Sequence, residues 1–123
     1  MLTINDQQAQ IFATQMQAQF ESVCVAMLRD TYPEVTAKHR DEKLLELVRY
    51  ARERAQGRGL VTEADWERWL HLMMRLGPRF DEDPRQVQVN SILTDGSIDP
   101  RLKLDAIENL LATADTPVDN ATQ

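Results

Sequence analysis

Apolar positions along the 123-residue chain recur at steps of three and four, broken by proline and glycine, and this rhythm sets the predicted elements. From Asn5 to about Asp30 the repeat runs Phe12, Met16, Phe20, Val23 and Met27, with Ile11, Cys24 and Leu28 beside it. It predicts one long helix with a single inner face. Asn5 is a good N-cap, and Tyr32-Pro33 closes the segment because a residue before proline is pushed out of the helical region. The connector PEVTAKHRD has room for a helical turn of its own. A second regular helix is expected from about Asp41 to Gln56, with Leu44, Leu45, Val48, Ala51 and Ala55 inward. Gly57-Arg58-Gly59 ends it through the glycine preference for left-handed C-caps.

Thr62-Glu63-Ala64-Asp65 approximates a capping box, with Asp in place of the usual Glu or Gln, and opens a third helix that Gly77-Pro78 stops after about Leu76. Pro84, capped by Asp83, suits the first position of a shorter helix through about Leu93. Thr94-Asp95-Gly96-Ser97 reads as a turn, and Asp99-Pro100 starts a last helix to near Ala114 with Leu104, Ile107, Leu110 and Leu111 as its stripe. No stretch alternates with period two, and no repeat of fixed length is present. The expected fold class is therefore all-α, about five helices in an irregular bundle. One domain is expected over 1–114, followed by a polar, proline-containing tail, 115–123, that is expected to be mobile.

Composition narrows the classes of function. A 42% apolar, 28% charged chain is ordinary for a globular domain, and no apolar run approaches the ~20 residues needed to cross a bilayer. The start, MLTINDQQAQ, lacks the basic head and apolar run of a secretory signal, so a cytoplasmic location and no membrane partner are expected. The net charge of −6 argues against nucleic acid as a partner. Charge is unevenly spread. Residues 31–60 carry seven Lys and Arg against five acids, a net of +2, while residues 91–123 carry two against six, a net of −4. The basic stretch is read as a solvated helix face with spaced pairs such as Glu42 and Glu46 near Arg49.

Candidate chemistry is thin. Cys24, the only cysteine, lies between two valines in a helical pattern and is expected to be a buried, inert thiol. His39 and His71 lack the spacing of a zinc site. Asp81, Glu82 and Asp83 fail as a calcium loop, because the sixth and twelfth positions counted from Asp81 are Gln86 and Ile92 rather than glycine and an acid. A cap at Asp83, with Asp81 and Glu82 near the positive end of the following helix, accounts for the three acids. No serine sits in a nucleophile elbow. No catalytic residue, metal or cofactor is expected.

The third helix is unusually apolar. Trp66, Trp69, Leu70, Met73 and Leu76 share one face, with Leu72 and Met74 to either side, an arc of roughly 200° against the ~100° sufficient for one-sided packing. Either this is a central helix covered by the others, or one flank is an interface of the kind that favours Trp, Met and Arg. On the second reading the candidate partner-binding residues are Trp69, Leu72, Met74 and Arg75 on the helix, with Phe80, Asp81 and Asp83 in the loop after it.

At this helix the run ARERAQGRGLVTEADWERWLHLMMRLGPRFDEDP, residues 51–84, resembles a family of small helical proteins encoded beside spike, PAAR and toxin genes of bacterial type VI secretion systems. The resemblance is carried by Gly59, Leu60, Thr62, Glu63, Asp65, Leu70, Met73, Gly77, Phe80, Asp81, Asp83 and Pro84, and the stretch SILTDGSIDPRLKLDAIENLL, residues 91–111, is similar to the family's closing segment. After Asp83-Pro84 this chain has Arg85, Gln86 and Val87 where relatives often place an aromatic residue. The resemblance implies a co-chaperone in effector loading, with an adaptor chaperone and a toxin effector as partners. A cognate immunity protein against a cytosol-acting toxin is the alternative, consistent with the acidic balance. A homodimer that buries the wide stripe of the third helix is a third reading.

Overall fold

The computed structural model describes residues 6–115; the expected Asn5 cap and, Asp115 apart, the expected mobile tail lie outside the described residues. Among the described residues the protein is all-helical. Six α-helices follow one another: α1 Asp6–Thr31, α2 Pro33–Thr36, α3 Asp41–Gly57, α4 Glu63–Leu76, α5 Val87–Leu93 and α6 Pro100–Asp115, with a 3₁₀ turn at Phe80–Glu82. None of them is long and apolar enough to cross a membrane. The chain forms two compact units, Met1–Glu53 and Arg54–Gln123. The division falls inside α3, a continuous helix, so no linker composition marks it in the sequence.

In the first unit, Phe20, Cys24 and Leu28 of α1 and Leu44, Val48 and Ala51 of α3 are buried. Arg29 organises the connector between these helices. Its guanidinium donates to the carbonyls of Thr36 and His39 at 3.0 Å each and to the Asp41 carboxylate at 2.6 and 2.9 Å. The helical turn α2 starts at Pro33, whose fixed φ suits a first helical position, and Thr36 Oγ1 donates back to the Tyr32 carbonyl.

In the second unit the helix ends follow local chemistry. Leu60 N donates to Ala55 O and Gly59 N to Gln56 O, a Schellman closure of α3 with Gly59 at φ +87°. A Cβ at Gly59 would also stand 3.1 Å from Pro100 Cγ, so both backbone and space favour glycine. Thr62 caps α4 by accepting from Asp65 N at 3.1 Å, and Gly77 at φ +107° ends it. Asp99 accepts from Arg101 N ahead of Pro100, as expected for the start of α6.

One start differs from the expectation. α5 begins at Val87, three residues after Pro84. Asp83 uses its side chain on Arg85 N at 2.9 Å and its carbonyl on Gln86 N, which closes a turn instead of a helix. The Asn90 amide fixes that turn by donating to the carbonyls of Phe80, Asp83 and Gln86. The core of this unit is the larger one: Ala55, Leu60, Trp69, Leu70, Leu72, Met73, Phe80, Val89, Leu93, Leu104 and Ile107 are all buried.

Candidate functional site

α4 has its wide apolar arc because it is a core helix. Trp69, Leu70, Leu72 and Met73 are each at most 2% exposed. The helix packs on α6 and on the 3₁₀ turn, where the rings of Trp69 and Phe80 meet at 4.8 Å between centroids with planes tilted by 44°. Of the seven candidate partner-binding residues, Trp69, Leu72, Phe80 and Asp81 are therefore buried, which corrects the expectation that they present themselves to a partner. Met74 and Asp83 are half-buried and Arg75 is exposed.

Asp81 has a different task from the one its position suggested. Its carboxylate is buried and accepts from Arg54, through both Nε and Nη2, and from Arg58 Nη2 at 3.4 Å. Arg54 also reaches Glu82 at 3.2 Å. Asp81 thus ties the end of α3 to the 3₁₀ turn; it is not a dipole partner of α5. Asp83 pairs with Arg85 at 3.0 Å, and that bond, with the backbone N–H of Arg85, holds its carboxyl below the ordinary range.

A second ionic network links α4 to α6. Arg68 donates to Glu108 at 2.8 and 2.9 Å and to Asp105 at 2.5 Å, while the buried Asp65 accepts from Arg101 at 3.2 and 3.3 Å. The bond to Glu108 dominates and, against the opposing effect of burial, pushes the Arg68 guanidinium up. These bonds fasten neighbouring helices. Among the described residues no group of three or more His, Cys, Asp or Glu could hold a metal ion.

The first unit contains a buried ionic clamp beside an accessible groove. Glu21 is buried on α1 and accepts from Arg49 at 3.0 and 3.2 Å, from Arg52 at 3.1 Å and from Gln17 at 3.2 Å. Burial alone would raise its pKa, but the hydrogen bonds from Arg49, Gln17 and Arg52 outweigh it and hold the carboxyl below its ordinary value. Beside this clamp an open groove of about 650 Å³ runs between α1 and α3. Ala18, Val25 and Leu45 give it apolar walls, and Arg29, Glu42 and Arg49 a charged margin.

The expected inner face of α1 holds only in part. Phe20, Cys24 and Leu28 are buried, but Phe12 is 64%, Val23 55% and Met16 44% exposed. Every residue from Asp6 to Gln19 is exposed. The basic stretch of 31–60 also differs from its expected solvated pairs: Arg49 and Arg52 hold Glu21, and Arg54 and Arg58 hold Asp81. The acids lie 27 and 28 positions from Arg54 and Arg49, and no local spacing rule could pair them.

No family model, no curated protein and no solved structure matches the chain.

Proposed function

We propose that this chain is a non-enzymatic, protein-binding helper acting in the cytoplasm, a co-chaperone that joins an adaptor chaperone and a toxin effector for loading onto a type VI secretion spike. The observation that carries the binding role is the groove between α1 and α3, whose apolar walls and charged margin have the anatomy of a surface that accepts a helix or extended segment. The secretion setting rests on the resemblance of residues 51–84 and 91–111.

The test combines delivery with docking. Loss of the gene should reduce toxin delivery to competitors, and the tagged chain should copurify with the adaptor chaperone. Ala18 is exposed at the groove, so Ala18→Glu should leave the fold intact and reduce that copurification at least tenfold. Normal delivery in a deletion strain that becomes sensitive to its siblings would instead establish the immunity reading.

A further inference from the structure

The exposed side of α1 carries a second, largely apolar stripe, distinct from the residues that face the core. Ala9, Phe12, Met16, Gln19, Val23 and Ala26 follow one another at steps of three and four, the heptad spacing of a helix seam. At 100° per residue their mean direction lies roughly 110° around the helix from that of Phe20, Cys24 and Leu28, and roughly 140° from that of the groove residues Ala18 and Val25. The residues from Ala9 to Val23 are therefore covered neither by the core nor by an occupant of the groove, while Ala26, at the end of the stripe, also borders the groove.

Charge is absent along it. In a chain that is 28% charged, residues 7–20 contain no Asp, Glu, Lys or Arg, and six of the fourteen are glutamine. Interface cores are depleted in charge, whereas seams that select a different partner usually encode it in charged flanking positions. This stripe has no such code. Two copies of a chain with net charge −6 repel each other over most surfaces, but not here.

The stripe is also self-complementary. In an antiparallel pair centred between Met16 and Gln19, residue numbers in contact sum to 35. Phe12 then meets Val23 of the second copy, Met16 meets Gln19, and Ala9 meets Ala26. The same register brings Asp6 to the end of the second helix that carries Arg29 and opposes the two helix dipoles. A parallel pair would set Asp6 against Asp6. We propose that this face of α1 binds a second copy of the chain, antiparallel and in this register. Covering it removes on the order of 500 Å² per copy, the small end of specific interfaces, so the dimer is reversible.

Sedimentation velocity across the micromolar range should show the wild-type chain moving from monomer to dimer. Phe12→Glu combined with Met16→Glu, both at exposed positions, should weaken association at least tenfold without changing helical content. Ala18→Glu in the groove should leave association unchanged, which separates this proposal from the helper function. On mild oxidation, Ala9→Cys combined with Ala26→Cys should give a covalent dimer and Ala9→Cys alone should not, while the buried Cys24 stays unreacted. A wild-type chain that remains monomeric at every concentration overturns the proposal. So does a double-Glu variant that still dimerises, and cross-linking by Ala9→Cys alone overturns the antiparallel register.

Discussion

α4 and the first half of α1 are both rich in apolar side chains, yet one is covered and the other is open. Around α4 the apolar arc is accompanied by charged residues that fasten its neighbours: Arg68 reaches two acids on α6, and Asp65 accepts from Arg101. Along α1 the first charged group after Asp6 is Glu21, next to Phe20, where burial begins. Apolar spacing alone thus says that a helix wants a cover. The ionic residues beside it say whether the chain itself supplies one.

The largest expected effect breaks this comparison at its core. Trp69→Ala removes a fully buried ring that packs against Phe80 and should cost about 3–5 kcal/mol by urea unfolding. Phe12→Ala, the same loss of an aromatic ring on the open helix, should stay within about 0.5 kcal/mol in the monomer. Equal costs would mean that the first half of α1 is covered after all.

Asp81→Asn comes next. It leaves Arg54 and Arg58 facing a neutral amide at a buried position, and a loss of about 2–4 kcal/mol is expected, since both guanidinium groups keep some solvent. A loss below about 0.5 kcal/mol would show that the clamp adds nothing beyond packing.

Glu21→Gln should cost less, about 1–3 kcal/mol, because Arg49 is half exposed and can be hydrated when its partner is lost. The pH dependence sharpens this. The folded carboxyl titrates below its unfolded value, so its contribution is complete above the carboxylate range of the unfolded chain and is lost as pH falls through the lower folded value. Asp83 and Asp95, held down by Arg85 and Ser97, act in the same direction. Urea midpoints measured down the acid limb should fall less steeply in Glu21→Gln than in the wild type.

Helix ends were legible in the sequence wherever one residue and its near neighbours decide them. Thr62, Gly59, Gly77 and Asp99-Pro100 act within five positions of the bond they make or spare. Asp83-Pro84 misled because the same pair serves a turn or a helix start, and Asn90, several residues on, selects the turn. The candidate site was less legible. Periodicity found both apolar arcs but could not say which one α6 and the 3₁₀ turn would cover. The arginine clamps join residues too distant in sequence for any helical spacing to reveal.

The uncharged run of α1 has a consequence for ionic strength. Near 0.1 M salt, exposed charges more than ~10 Å apart no longer feel one another, so added salt weakens Coulombic contacts and leaves apolar ones intact. A surface whose flanks are glutamine should hold its partner as well in concentrated salt as in dilute buffer, and better in sulfate. Contacts made through the arginine-bordered groove should fade under the same treatment. A salt series therefore sorts what this protein binds by the face it uses.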